Sequence, residues 1–400
     1  MGMNEWPLKR LKDITSKIGS GATPRGGKNA YLTEGISLIR SLNVYDFKFE
    51  DDNLAFISEK QAAELRNVIV QKDDILLNIT GASVARCCLT DPKYLPARVN
   101  QHVALVRLRP DVADARFVLY CINSLHFKSR LLALAQGGAT REALTKTTIE
   151  DFEVLQPPLP IQRRIAGILS AYDELIVNSQ RRIKILESMA RALYREWFVH
   201  FRFPGHEHHP RVPSPLGEIP KGWEVGRLDD VSVLQRGFDL PKASRTEGTV
   251  PIIAATGVTG FHNEAKVKAP GVVTGRSGTI GEVLYVQEDF WPLNTSLWVK
   301  EFPKSEPIYA YYLISSLDLK QFNSGAAVPT LNRNDIHGIQ VVVPPGDLQK
   351  RFQEIAGAML AQSRTLDLKN QNLRRTRDLL LPRLLSGQVE LRPNGAMNTP

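Results

Sequence analysis

Several short strings in this chain carry residue types able to do chemistry. Gly19-Ser20-Gly21 is a fragment of the glycine-rich loop that holds a dinucleotide or S-adenosylmethionine. No strand pattern precedes it and no helical pattern follows, so it reads as a turn. Gly275-Arg276-Ser277-Gly278-Thr279-Ile280-Gly281 lacks the Gly-Lys-Ser/Thr ending of a P-loop. It predicts a tight β-turn whose exposed N–H groups, with Arg276, can meet a phosphate. Asp91-Pro92-Lys93-Tyr94 misses the second proline of the Asp/Asn-Pro-Pro-Tyr signature of amino-group methyl transfer and reads as another turn. His206, Glu207, His208 and His209 offer metal ligands, but they lie in a proline-rich stretch with no cysteine or distant ligand set to close a site, which predicts a solvated cluster. Cys87, Cys88 and Cys121 supply neither a disulfide framework nor a four-cysteine zinc site, and they fit a reducing cytosol. No Ser/His/Asp or paired-carboxylate spacing stands out. These residues predict a non-catalytic binding subunit with no metal and no cofactor of its own.

The 400 residues (44.7 kDa, 42% hydrophobic, 23% charged) have room for two domains. Fifty-one Lys+Arg against 42 Asp+Glu give a net charge of +9, which favours a polyanionic partner. The excess is uneven: +5 over residues 1–150, +2 over 151–202, −2 over 203–346 and +4 over 347–400. A slightly acidic third segment must meet nucleic acid through a local patch rather than bulk attraction. The opening MGMNEWPLKRLKD has no apolar signal core, and no apolar run approaches the ~20 residues of a membrane span. A cytoplasmic, membrane-free chain is expected.

The elements that must position these residues are written twice. GATREALTKTTIEDFEVLQPPLPIQRRI (138–165) matches GAAVPTLNRNDIHGIQVVVPPGDLQKRF (325–352) without gaps at an offset of 187. Upstream, FVLYCINS (117–124) answers YAYYLISS (309–316), and NQHVALV (100–106) answers NTSLWVK (294–300). Each half opens on a tryptophan, Trp6 and Trp223, and the first half is about thirty residues longer before the shared stretch. Gene duplication accounts for this pattern. The globular portions mix β-rich runs with amphipathic helices, an α+β class, and the Pro/Gly/His-rich 203–222 reads as a linker.

Each repeat runs into a long heptad-like helix. The first seam is read at Ile165, Ile168, Tyr172, Leu175, Leu186, Met189 and Leu193, with Ser179 and Arg182 polar. The second is read at Phe352, Ile355, Met359, Leu366, Leu373 and Leu380, with Gln362, Lys369 and Thr376 polar. Proline pairs precede both helices, Asp347 is read as an N-cap, and Pro204 and Pro382 as stops or kinks. The expected arrangement is an antiparallel coiled-coil rod holding two globular domains apart. The expected division is a first globular domain over residues 1–158, a helix over 159–202, a linker and second globular domain over 203–345, a helix over 346–388 and a tail over 389–400. The competing arrangement packs each helix on its own globular domain.

With its repeats and helices in order, the chain resembles the specificity subunit of type I restriction-modification systems, over nearly all 400 residues. The residues that carry it are the openings at Trp6 and Trp223; Gly21-Ala22-Thr23-Pro24 followed by Tyr31-Leu32-Thr33-Glu34-Gly35-Ile36; Thr80-Gly81-Ala82-Ser83-Val84 and its partner Arg276-Ser277-Gly278-Thr279-Ile280-Gly281; the helix starts PPLPIQRRIAGIL and PPGDLQKRFQEIA; REWFVHFRFPG; LGEIPKGW; and LLLPRLLSGQVEL. Ala85 departs from the pattern, standing where a glycine is usual.

The resemblance implies two target-recognition domains, each reading one half of a split sequence in double-stranded DNA, on a pseudo-two-fold frame. It implies docking of two methyltransferase subunits that bring S-adenosylmethionine for adenine methylation. Restriction subunits, when present, would bring ATP and Mg2+ for translocation and cleavage. Contact chemistry selects the DNA-binding candidates, since Arg, Lys, Asn, Gln, Ser and Thr read base edges and phosphates. In the first half these are Arg25, Lys28, Arg40, Asn43, Ser83, Arg86, Gln101 and, with Thr145, Lys146. In the second they are Arg236, Lys242, Arg245, Arg276, Ser277, Asn332 and Arg333. A reading from another class, a coiled-coil scaffold whose ends bind proteins, explains the helices but not the duplicated arginine-bearing turns.

Overall fold

The computed structural model describes residues 6–136 and 142–389. They divide into two compact units, Met1–Asn178 with Lys369–Pro400, and Ser179–Leu368. The boundary falls inside the two long helices rather than at their ends, so the division at 158, 202 and 345 is replaced by one in which each helix is shared.

In the first unit, Leu8–Arg10 pairs antiparallel with Glu153–Leu155. One four-stranded sheet runs in the order Thr15–Ser20, Val103–Leu108, Ile75–Asn78, Cys87–Leu89. A second runs Ala55–Ile57, Ile36–Ile39, Ala97–Val99, Ile69–Val70, with its central pair parallel. The second unit repeats this plan. Glu224–Arg227 pairs with Gln340–Val343, a four-stranded sheet runs Val233–Arg236, Ser296–Glu301, Gly271–Gly275, Val283–Val286, and Val250–Ala254 lies parallel to Trp291–Pro292. The duplication expected from sequence thus extends to strand order and direction. The stretch 117–135, read as one helix, breaks at Ser124, whose extended backbone ends Ala115–Asn123 before Leu125–Gln136 begins.

The long helices span Leu159–Tyr194 and Gly346–Leu385. Asp347 lies inside the first turn of the second helix rather than before it, and Pro382 sits near the end of a helix that continues to Leu385. Both helices are anchored by the same side chain. Gln162 accepts from Asp114 N (2.9 Å) and donates to Pro157 O (2.7 Å). Gln349 accepts from Glu306 N (2.9 Å) and donates to Pro344 O (2.9 Å). Both glutamines are fully buried, so each bond replaces water that would otherwise have to be retained.

Within each unit the helix segments run antiparallel. In the first, Asp173 bonds Arg377 while Ile165 and Leu384 share one core. In the second, Trp197 stacks near Phe352 and Glu187 meets Ser363. The buried stripe corrects half of the expected seam. Ile165, Tyr172, Ser179, Leu186 and Leu193, with Phe352, Met359, Leu366, Leu373 and Leu380, form one column as expected, each buried or half-buried. The other column lies one residue further on, at Gln162, Leu169, Ile176, Ile183, Ala190 and Trp197, and at Gln349, Ala356, Ser363, Asn370, Arg377 and Leu384. Leu175 (47% exposed), Met189 (49%) and Ile355 (38%) fall outside it, and Ile168 lies at its edge.

Residues 203–222 are not a featureless linker. They form a short turn at His206–His208 and a hairpin of Arg211–Ser214 with Gly217–Pro220. Phe203, Ile219 and Trp223 join the core of the second unit. No helix among the described residues is long and apolar enough to cross a membrane.

Candidate nucleic-acid interface

The glycine-bearing turns leave the edge of the first sheet in each unit on one hydrogen-bonded frame. In the second unit Leu331 N donates to Arg276 O, Ser277 bridges Thr330, and Gly278 N donates to Pro329 O. In the first, Leu144 N donates to Ile79 O, Thr80 bridges Ala143, and Gly81 N donates to Glu142 O. Every pair of acceptors and partners obeys the repeat, which places Ile79 opposite Arg276 and Thr80 opposite Ser277. Arg276 therefore has no cationic counterpart in the first unit, where Ile79 is buried. Backbone demands shape both turns. Gly81, Gly278 and Gly281 hold positive φ, as does Ala85 (φ 66), which explains why a glycine is the ordinary residue there. A Cβ on Gly275 would lie 1.7 Å from the Thr279 carbonyl oxygen, so only glycine lets this turn close.

In the second unit a cleft of about 730 Å³ gathers Arg236, Arg276, Asn332 and Arg333, four of the expected residues, beside Phe238 and Asp239. Arg236 lies 3.5 Å from Asp239, which also accepts from the Asn294 amide. Arg276 Nη1 donates to Asn294 O at 3.2 Å, leaving its other nitrogens to the cleft. Asn332 caps the helix Arg333–His337 by accepting from Asn334 N. Ser277 flanks the cleft through its bridge to Thr330, a lining residue. Lys242 and Arg245 lie outside its lining, on and after the turn Lys242–Ser244. Arg245 Nε reaches Leu240 O at 3.4 Å.

In the first unit the expected residues are less concentrated. Arg40 stacks over Tyr31 (5.0 Å) and Arg86 over Tyr45 (4.9 Å), and Tyr31, Arg40 and Tyr45 line one hollow with Glu50, Asp52 and Asn53. Such planar backing fixes a guanidinium while leaving its edge free to donate. Arg25 is almost fully exposed, 3.9 Å from Glu64. Lys28 lies in the turn Gly27–Ala30, and its side chain is outside the described residues. Ser83 ends the turn Gly81–Ser83, half-exposed. Lys146 pairs with Glu150 one helical turn away, behind the Thr145 cap. Asn43 is corrected. It is fully buried, its Oδ1 accepting from Arg40 N and its Nδ2 donating to Glu50 O, so its amide shapes the chain under Arg40 and offers no edge to a base.

Gln101 and Thr295, matched by the repeat, share a feature that sequence spacing does not reveal. Gln101 Oε1 and Thr295 Oγ1 are both buried without a hydrogen-bond partner among the described residues. Gln101 Nε2 meets the His102 ring at 3.0 Å, and His102 meets Thr80 at 2.6 Å. Asp239, Asn294, His102, Tyr31 and Tyr45 are the neighbours that residue-type reasoning missed; the aromatic-to-arginine pairing was the available signal for the last two.

The other chemical candidates have structural roles. His206 Nδ1 and His209 Nε2 face the carbonyls of Phe203 and Lys221. The cysteines are buried, and burial pushes Cys87 and Cys121 up to about 12 and Cys88 further the same way, so none is a ready thiolate.

A sequence profile described as the type I restriction modification DNA specificity domain matches residues 3–188 and 220–374. The chain belongs to this family. It is 25% identical over 413 residues to the MjaIX specificity subunit of Methanocaldococcus jannaschii, covering 97% of this chain and 94% of that one. It is 20% identical to the HindI specificity subunit of Haemophilus influenzae, covering 97% and 100%. The fold is that of the S subunit from M. genitalium, with a TM-score of 0.65 at 18% identity over 96% of both chains. The α+β architecture with two repeats and long helices is therefore that of a type I specificity subunit.

Proposed function

We propose that this specificity subunit reads a bipartite sequence in double-stranded DNA, one half-site per unit. It would dock two methyltransferase subunits that carry S-adenosylmethionine for adenine methylation. Restriction subunits, where the system has them, would bring ATP and Mg2+. No catalytic residue is assigned to this chain.

The observation that carries the reading is one repeated frame bearing different side chains. The Leu331/Arg276 and Leu144/Ile79 hydrogen bonds hold equivalent turns, while what those turns present differs: paired arginines and asparagines in the second unit, and amide, imidazole and hydroxyl groups in the first. One frame with two chemistries suits two different half-sites. Unpaired buried oxygens at Gln101 and Thr295 support it, because such groups are stable when a partner supplies the missing donor.

Arg276→Ala is the direct test. Loss of a contact to phosphate or base should cost roughly 1–3 kcal/mol of DNA affinity, and if the contact is to a base it should relax only the second half of the motif. A methylation map of the host with and without the gene, then with the variant, reads this out. An unchanged motif together with unchanged affinity would refute the placement. Exchanging residues 1–158 for those of a relative should alter one half of the motif; alteration of both would sink the one-unit, one-half-site assignment.

A further inference from the structure

The first unit carries a wide apolar groove of about 1550 Å³, whose lining includes Trp6, Leu8, Leu125, Leu155, Leu381 and Leu385. Leu125 is 85% exposed and Leu8 45%. An uncovered apolar surface of this extent calls for an occupant. Trp6 Nε1 is also buried without a partner among the described residues.

The second unit shows what covers the equivalent face. By the repeat, Leu381 and Leu385 correspond to Tyr194 and Phe198, Leu155 to Val342, and Trp6 to Trp223. Trp223 is only 6% exposed. It is packed by Phe198, Phe201 and Phe203, with ring centroids 6.1, 5.3 and 5.4 Å away. Phe201 and Phe203 belong to the segment that follows the first long helix, so that helix ends by folding its own continuation over the tryptophan.

The second long helix ends in the same way. Val389 N donates to Arg383 O at 3.4 Å. Arg202 N donates to Glu196 O at 2.7 Å. Both donors and both acceptors are separated by the repeat offset of 187 residues. A left-handed residue precedes each donor, Gly387 (φ 70) and Phe201 (φ 59). Val389 already packs against the core of the first unit. The chain therefore leaves the second helix on the path that, in the other repeat, leads over the tryptophan. The next residues alternate as Val389-Glu390-Leu391, matching the apolar, charged, apolar order of Phe201-Arg202-Phe203.

We infer that residues 390–400 of this chain seat in the groove of the first unit, with Leu391 entering beside Trp6 as Phe203 does beside Trp223. The Trp6 indole N–H gains a backbone acceptor from this strand. Leu125 and Leu8 lose their exposure. Arg392 follows Leu391 and finds Asp46 and Asp378 on the groove's wall. The groove is an intramolecular seat, and an external protein or a second copy of the chain competes for it.

The test compares the full chain with one ending at Val389, by hydrogen exchange over residues 123–130 and by binding of the apolar dye ANS. Loss of protection and gain of dye binding on truncation, reversed by adding a synthetic 390–400 peptide, are expected. The full-length Leu391→Asp variant should reproduce the truncation, and so guards against an effect of chain length alone. Full-length protein that already binds the dye as strongly as the truncated chain would overturn the inference. So would protection that survives truncation, including the case in which light scattering shows a second copy covering the face.

Discussion

Removing one member of the Asp173–Arg377 pair tests the seam of the first unit. Arg377 Nη1 pairs with Asp173 Oδ1, with side chains 13% and 25% exposed. Tyr120 donates to the same carboxylate, and Arg377 stacks over Phe47 at 4.8 Å. Asp173→Leu or Arg377→Ala strands a mostly buried charge, a loss of about 3–5 kcal/mol. Arg377 keeps its exposed neighbour Asp378 and Asp173 keeps Tyr120, so about 3 kcal/mol for each is the fitting figure. The double variant differs. The repeat places Leu360 and Ala190 where the first unit has Asp173 and Arg377, and both are buried in the second unit. Asp173→Leu with Arg377→Ala writes that apolar pair into the first seam. Leaving the Tyr120 hydroxyl unpaired costs about 1–3 kcal/mol, largely offset by about 1.5–3 kcal/mol from burying leucine. The double variant should therefore lose about 1 kcal/mol or less, against about 6 kcal/mol for additive losses. Urea unfolding followed by circular dichroism, with hydrogen exchange over residues 113–136 to assign the change to the first unit, measures the cycle. A double variant as unstable as the summed singles would refute the idea that these two residues act as one unit.

Other expectations follow from named contacts. Gly275→Ala should cripple DNA recognition at the second half-site while leaving the first intact, because the new Cβ meets the Thr279 carbonyl at 1.7 Å; wild-type footprinting on both half-sites would contradict this. His337 Nε2 accepts from Leu234 N at 3.1 Å, and burial holds its pKa below the ordinary 6.5. The unfolded chain then takes up the proton first, so the contribution is complete above pH ~6.5 and is lost as pH falls through that value towards the folded pKa. His337→Gln should flatten this acidic decline in the stability of the second unit; an unchanged pH profile would show that another group governs it.

The repeat was legible in sequence because a shared offset survives divergence, and the sheets confirmed it strand for strand. The helix seam was only half legible. Ile168, Leu175, Met189 and Ile355 are apolar but sit beside the true column, whose places are taken by Gln162, Ser363, Asn370 and Arg377, each buried or nearly so by partners distant in sequence. Apolar periodicity cannot find a buried polar residue whose partner lies far along the chain. The hairpin of residues 211–220 was missed for a related reason: its prolines and glycines signal a loop, whereas packing on Trp223 makes it a piece of the core. At the site, Arg276 and Arg333 were found by type, while Asn43 misled because type does not report burial. Asp239 and Asn294 became visible only once the cleft was assembled.

The paired glutamines at the helix starts set a rule for exchange of segments. Gln162 fastens its helix to the backbone of Asp114 and Pro157, and Gln349 fastens its helix to Glu306 and Pro344. Each globular domain is thereby bolted at a fixed angle to the start of the helix that follows it. A foreign segment grafted ahead of either helix keeps its orientation only if it brings an N–H and a carbonyl to the two ends of that one amide. Natural shuffling of such segments between relatives is thus constrained less by the surfaces that meet DNA, which are free to vary, than by two hydrogen bonds at each joint.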